Sequence, residues 1–331
     1  MKQEQTLLLT RYDVATLLGI EECIAAVEGA FKLHAEGKTL PPGILGIHAH
    51  DGGFHIKAGL LELSRSYFAA KVNANFPHNS QRFGLPLIQG LIVLCDGENG
   101  RPLAVMDSME ITIIRTGAAT GVAANYLART DSTIVTICGC GNQGRISLRA
   151  IAKVRDLESA CAFDTDWEQA ERFAQEMSDE LRIKVHAVSD LGEAVSKSDI
   201  CVTCTPSRQY FLKTEDVAPG TFIAAVGADH EEKQELDPTL LPSSKLVVDL
   251  VEQCATIGEL HHALAQGLMT REQVHAELGE VIAGKKPGRA SAEEIIIFDS
   301  TGTALQDVAS AVIVYERALV RGGGIKIDFA N

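Results

Sequence analysis

The chain has 331 residues, 46% hydrophobic and 22% charged, with 30 basic and 44 acidic side chains and a net charge of −14. That length predicts two domains, each large enough to bury its own core. The negative balance argues against nucleic acid or an anionic membrane surface as partner, and no apolar run reaches the ~18 residues of a membrane span.

The opening "MKQEQTLLLTRYD" returns to charge after three leucines, so no secretory leader is expected there. Helical spacing follows in "DVATLLGIEECIAAVEGAFKLHAEG", and glycine and proline punctuation begins at "LPPG". From there to about residue 107 the chain reads as strands: "GILGIHAH", "GFHIKAGLL", "YFAAKVNANF", "LIQGLIVLCD" and "RPLAVMDS". "DGENG" separates the last two as a hairpin turn. Strands in direct succession predict a largely antiparallel or mixed sheet. "MEITIIRTGAATGVAANYLART" then reads as an alanine-rich helix.

Beyond it, short apolar strands ("STIVTIC", "ESACAFD", "KVHAV", "DICVTCTP", "TFIAAVGAD", "SKLVVDL", "EIIIFDSTG") alternate with amphipathic segments. This is the pattern of an α/β, doubly wound parallel sheet of Rossmann type. A last helix, "TALQDVASAVIVYERAL", is expected to return to the first domain and make it discontinuous. The expected division is residues 1–129 with 303–331 as a discontinuous α+β domain, and 130–302 as the doubly wound domain.

Gly139-Cys140-Gly141-Asn142-Gln143-Gly144 fits G-x-G-x-x-G, placed after a predicted buried strand and opening a predicted helix. Gly139 would allow the tight turn, Gly141 close approach of a pyrophosphate, and Gly144 close helix–strand packing. The anion would meet unpaired N–H groups and the positive end of the helix dipole. Asp164 ends the next strand, where an acid accepts ribose hydroxyls and repels a 2′-phosphate; Asp166 is a weaker candidate. NAD is therefore favoured over NADP.

Polar residues embedded in apolar strands mark the rest of a site, because their burial needs a reason. Lys71 in "YFAAKVNANFP" is the foremost case. Lys57 and His55, two positions apart, share a strand face, as do His48 and His50. A metal held by His48, His50 and His55 lacks a carboxylate at suggestive spacing, and no metal is expected. Adjacent His261 and His262 are expected on a helix, pointing apart. Arg115, at the start of the alanine-rich helix, offers a planar fork for a carboxylate or phosphate. Asp229 follows a buried strand of the doubly wound sheet, at the carboxyl end where ligands bind.

Eight cysteines, mostly inside apolar runs, read as small buried hydrophobes of a reducing, cytoplasmic protein. Cys201 and Cys204 form C-x-x-C, but a strand sends i and i+3 to opposite faces, which spoils chelation.

With these residues in hand, the chain resembles the ornithine cyclodeaminase/mu-crystallin family over nearly its whole length. The resemblance rests on "AAKVNANFP", "GLPLIQGLIVLCDGENGRPLAVMDSMEITIIRTGAATGVAA", "GCGNQG", "FDTD", "AVGADHEEKQEL", "ELGEVIAG" and "FDSTGTALQDVA". It implies a substrate-binding and dimerisation domain built from both chain ends, a Rossmann domain between them, NAD as cofactor and a homodimer. Lys71 matches the family's catalytic lysine, Arg115 its carboxylate-holding arginine, and Asp229 the aspartate near the reacting amine. Asn142, Gln143 and Thr116 join the glycines and Asp164 as expected cofactor contacts.

The implied chemistry is hydride transfer at C2 of a small amino acid, oxo acid or cyclic imine, as in alanine dehydrogenases and cyclic imine reductases. Ornithine cyclodeamination and a non-catalytic crystallin-like role are the alternatives. One departure stands out. Many members carry an arginine after the proline pair, where this chain has Gly43. Lys57 is expected to replace it as carboxylate partner, with His55 beside it. The added cation would disfavour ornithine, whose side-chain ammonium must be accommodated nearby.

Overall fold

The computed structural model of the chain describes residues 5–329. These divide into two compact units, one ending at Arg115 and resuming at Thr303, the other spanning Thr116–Gly302.

The first unit contains β1 (Thr6–Leu9), α1 (Arg11–Leu17), α2 (Ile20–Ala35), β2 (Gly43–Ala49), β3 (Gly52–Glu62), β4 (Ser66–Asn75), α3 (Asn79–Phe83), β5 (Ile88–Asp96) and β6 (Pro102–Asp107). Next comes α4 (Met109–Leu127), within which the division falls; α11 (Ala304–Arg321) and β17 (Ile325–Ile327) complete the unit. Among the described residues its sheet runs β17-β1-β6-β5-β4-β3-β2, antiparallel except for β1 beside β6.

Alternation sets the two faces of this sheet. Leu61, Tyr67, Ala69, Ile92, Leu94, Ala104 and Met106 are buried, together with Lys57 and Lys71. The sheet's helical partner is α11, which touches β3, β4, β5 and β6 and packs against α2. Gly59 allows close approach: a side chain there would begin 3.2 Å from Ala304 Cβ. The alternate positions Phe54, Val72 and Leu91 stay exposed, and so does the whole of edge strand β2.

α11 falls in the first unit, and the boundary between the units lies at Arg115/Thr116. β1 and β17 were not anticipated. They are three- and four-residue strands that exist through pairing with each other and with β6. The short α3 also interrupts the expected direct succession of strands.

The second unit holds β7 (Ile134–Cys138), α5 (Asn142–Ile151), β8 (Ser159–Phe163), α6 (Trp167–Leu181), β9 (Lys184–Ala187), α7 (Leu191–Ser196), β10 (Ile200–Thr203), β11 (Arg208–Leu212), β12 (Phe222–Ala225) and β13 (Gln234–Leu236). After them come β14 (Lys245–Val248), α8 (Val251–Ile257), α9 (Glu259–Ala265), β15 (Ala276–Glu277), α10 (Leu278–Ile282) and β16 (Ile296–Asp299). Its main sheet is parallel throughout, in the order β15-β14-β16-β12-β10-β7-β8-β9. β10, β12 and β16 are buried at every position, as strands covered on both faces must be. Strand order reverses between β7 and β10, the topological switch point where such sheets bind ligands.

Gly144 lets α5 approach this sheet. A Cβ there would lie 2.2 Å from the Gly139 carbonyl oxygen and 2.9 Å from Ile137 Cγ2. Gly144→Ala is expected to destabilise the protein by about 1–3 kcal/mol in urea unfolding. Gly141→Ser, whose side chain enters open space at a helix N-cap, should stay within about 0.5 kcal/mol of wild type.

Candidate active site

In the second unit, β7 ends at Cys138 and the chain turns through Gly139 at φ +103°, a conformation that favours glycine. The glycine also admits its neighbour: a Cβ at Gly139 would sit 3.0 Å from the Cys204 carbonyl oxygen, just past β10. Gly141 is the N-cap of α5 and makes no side-chain cap. A Cβ built on it meets nothing within 4 Å, so the first turn of α5, with Asn142 and Gln143, faces an open cradle. The early N–H groups of a helix have no intrahelical acceptor. Open space at Gly141 and those donors fit a pyrophosphate.

Thr116 is buried on α4, next to Gly117, whose absent side chain would strike Ile146 of α5 at 2.6 Å. α4 therefore packs closely on α5 at the residue after Thr116. Gln143 Oε1 is buried with no hydrogen-bond partner among the described residues.

Asp164 follows β8 and accepts from the Cys140 N–H at 2.8 Å, the Asp166 N–H at 3.0 Å and Gln169 Nε2 at 2.9 Å. Desolvation raises its pKa, but these donors outweigh it and hold the carboxyl below its usual range. A charged acid therefore stands beside the glycine loop. Asp166 instead caps α6, accepting from the Gln169 N–H.

Asp229 lies in the loop after β12, and its side chain is 54% exposed. Lys233 Nζ is 2.6 Å from its Oδ1. His262 Nε2 contacts the Lys233 carbonyl oxygen at 2.8 Å. The rings of His261 and His262 do not point apart as expected. Their centroids are 5.2 Å apart in an edge-on contact, because the roughly 100° between helix neighbours still lets two rings lean together.

Sequence reasoning overlooked Glu235, which braces this end of the sheet. It is fully buried in β13. It accepts from the Thr205 N–H at 2.5 Å, Thr205 Oγ1 at 2.7 Å and the Gly227 N–H at 3.0 Å. One carboxylate thus ties the loop after β10 to the loop that carries Asp229. Its signal in sequence was an acid between strand residues in "KQEL".

In the first unit, β4 is a central strand, so Lys71 is an interior lysine, 3% exposed. Across the register it faces Lys57 of β3, itself 8% exposed. Arg115, on α4, is 5% exposed. The three cations gather around Asp307 of α11, 1% exposed, which sequence reasoning also overlooked. Lys71 Nζ lies 2.9 Å from Asp307 Oδ1 and 2.7 Å from Oδ2, and Arg115 Nε lies 3.1 Å from Oδ1. Arg115 Nη1 donates to Gln306 Oε1 at 2.7 Å. The signal was "LQDVA", a glutamine and an aspartate inside an otherwise apolar helical stretch.

His55 is half-buried, two positions from Lys57 on β3. His48 is exposed on β2, and Gly43 begins that strand beside Ala58. Among the described residues no group of three His, Cys, Asp or Glu side chains is arranged to hold a metal ion.

Desolvation lowers the Lys71 pKa most, Asp307 opposes it, and Arg115 and Lys57 lower it further, to about 7. Such a lysine can exchange a proton near neutrality. Asp307 stays charged: desolvation raises its pKa, but Lys71 and Arg115 bring it below the usual range. The cluster can hold a carboxylate and move one proton.

Linkage follows. Between pH 7 and the ordinary lysine range the unfolded chain binds a proton that folded Lys71 does not, so this term stabilises the fold as pH rises. The slope should reach about 1.4 kcal/mol per pH unit at most. Unfolding of wild type and Lys71→Met, compared at pH 7.5 and 8.5, is expected to show that increment only in wild type.

A family model described as the ornithine cyclodeaminase/mu-crystallin family matches residues 4–322. An alanine dehydrogenase of Archaeoglobus fulgidus is 42% identical over 325 residues, 98% of this chain and 99% of that protein. An archaeal alanine dehydrogenase dimer solved with bound NAD superposes with a TM-score of 0.94 at 42% identity, covering 98% of this chain and 99% of that one. The Thermococcus litoralis Δ1-pyrroline-2-carboxylate reductase, solved with NADH and L-proline, gives a TM-score of 0.92 at 38% identity, covering 97% and 100%.

Proposed function

The chain belongs to the ornithine cyclodeaminase/mu-crystallin family, and from that premise we propose that it is an NAD-dependent oxidoreductase acting at C2 of a small L-amino acid or its imine. The observation that carries this reading is the buried Lys71–Arg115 pair, two basic side chains joined through Asp307, with the lysine's pKa lowered to about 7 by burial. The NAD-bound and NADH-bound relatives and the open cradle at Gly141 support the cofactor.

When bound, the nicotinamide dinucleotide exchanges a hydride with C2 of the substrate. The residues of the chain divide the remaining work. Gly139, Gly141, Asn142, Gln143 and Gly144 line the pyrophosphate cradle, with Thr116 as a further cofactor contact. Asp164 accepts the ribose hydroxyls, and its charge disfavours a 2′-phosphate. Lys71 and Arg115 hold the substrate carboxylate, and Lys71 gives or takes a proton. Asp229 holds the cationic amine or iminium, or accepts a proton from an attacking water. Lys57 takes the place of the family arginine absent at Gly43, with His55 beside it. The Lys57 ammonium disfavours ornithine, so an alanine dehydrogenase-like or cyclic imine reductase reaction is preferred to cyclodeamination.

Lys71→Ala and Asp229→Ala are each expected to abolish turnover while NADH binding, followed by fluorescence, survives. Near wild-type rates in either variant would refute the assignment. Lys57→Met should raise KM about tenfold or more for a carboxylate substrate, since a charge-assisted hydrogen bond contributes about 1.5–3 kcal/mol; an unchanged KM removes Lys57 from the site. Dependence of NADH oxidation on ammonium separates dehydrogenase from imine reductase.

We also propose a homodimer formed through the outer face of the first unit's sheet. Leu45 and Ile47 on β2, Val72 on β4 and Leu91 on β5 share that face and are 40–55% exposed, an apolar surface unusual for a monomer. The dimeric archaeal relative supports this. Sedimentation velocity should give twice the chain mass for wild type and a shift toward monomer for Ile47→Asp. A monomeric wild type would exclude the dimer.

A further inference from the structure

Among the described residues Asp307 is the carboxylate that partners both Lys71 and Arg115. The groups facing it come from four elements besides its own: Lys57 on β3, Lys71 on β4, Arg115 on α4 and the Cys23 thiol on α2. Thr112 of α4 lies 3.5 Å from Lys71 Nζ. Asp307 sits in the first turn of α11, where the helix dipole favours an anion. A buried ion pair of this kind adds little to stability over apolar packing of the same shape. Its geometry therefore calls for another reason.

That geometry is selective. Asp307 takes Arg115 through Nε, and Gln306 takes Nη1. The hydrogen bonds of Arg115 to described residues run through Nε and Nη1 and leave Nη2 without one, and Nε2 of fully buried Gln306 has no hydrogen-bond partner among the described residues. Lys71, whose ammonium carries three donors, is joined to Asp307 and Thr112.

We infer that Asp307 is a positioning residue: it fixes Lys71 and Arg115 as one preset unit, each keeping a donor for the carboxylate of the substrate. The inference rests on the roles proposed above for those two residues. Asp307 also opposes the loss of the Lys71 proton, which burial and two neighbouring cations promote. It does not touch the reacting carbon and acts through its partners.

The test is the steady-state kinetics of Asp307→Asn and Asp307→Glu across pH 5–9. The probes are pyruvate with ammonium and Δ1-pyrroline-2-carboxylate, whichever wild type reduces with NADH. Asp307→Asn is expected to raise KM about 10–100-fold. It should also move the limb of kcat/KM set by Lys71 about one pH unit toward acid, because the remaining neighbours all lower the lysine's pKa. Asp307→Glu keeps the charge and displaces the pair, so KM rises while the limb stays in place. NADH binding should be unchanged in both.

A folded Asp307→Asn with wild-type KM and limb would overturn the inference, even if it unfolded more easily. If Asp307→Asn does not fold, Asp307→Glu with a wild-type KM overturns it instead. Lys71→Met separates the two levels. Activity in Lys71→Met defeats the functional reading itself. An inactive Lys71→Met beside a wild-type-like Asp307→Asn defeats only the role of Asp307.

Discussion

The carboxylate of Asp307 answers two of the basic side chains that the first unit keeps in its interior, Lys71 and Arg115. Each of Lys57, Lys71 and Arg115 would lose its hydration on burial, at a cost of several kcal/mol apiece if left uncompensated. Asp307 compensates two of them directly. It can do so because α11 lies across β3 and β4 and is nearly wholly buried over its first half. The apolar residues of α11 hold the helix on the sheet, and the sheet's inward positions 57 and 71 present their ammonium groups to it. Core packing and the chemical site of this unit are therefore one arrangement.

The second unit solves a similar problem with the opposite charge. Its interior holds Glu235, Asp249, Glu259 and Asp299, all at 1% exposure or less. Here backbone N–H groups, more than cationic side chains, supply the compensation. Glu259 accepts from the Glu235 and Leu236 N–H groups, Asp299 from that of Leu260, and Asp249 from that of Gly302. Burial still raises the pKa of Asp299, to about 7. Asp249 and Asp299 sit at the carboxyl ends of β14 and β16, and Glu235 ties the loops after β10 and β12 through their backbone N–H groups. Asp164 does the same for the glycine loop while remaining half-exposed.

Much of this was readable before any coordinates. The switch from consecutive strands to strand–helix alternation located both sheets, because periodicity reports burial on one face or two. G-x-G-x-x-G was legible because each glycine answers a local steric demand: a left-handed turn, an open cradle, a close helix. Lys71 was legible because an ammonium in an apolar strand is conspicuous. Asp307 and Glu235 were missed for a common reason. Each is defined by partners distant in sequence: 236 positions separate Lys71 from Asp307, and 30 separate Thr205 from Glu235. Local pattern carries no information about such pairings. β1 and β17 were missed likewise, since three or four residues become a strand only when a neighbour supplies the hydrogen bonds. The facing of His261 and His262 turned on rotamers, which spacing along a helix does not determine.

The wide separation of Lys71 and Asp307 has a consequence for biogenesis. A ribosome delivers β3 and β4 early and α11 last of the large elements, so the nascent sheet waits with Lys71 lacking Asp307 and its inner face uncovered. The second unit, continuous in sequence from Thr116 to Gly302, can complete itself during that interval. Closure of the first unit is then a late, long-range event of high contact order, the slow kind of step. A prematurely terminated polypeptide lacking α11 would keep the whole second unit but leave Lys71 and Arg115 without Asp307.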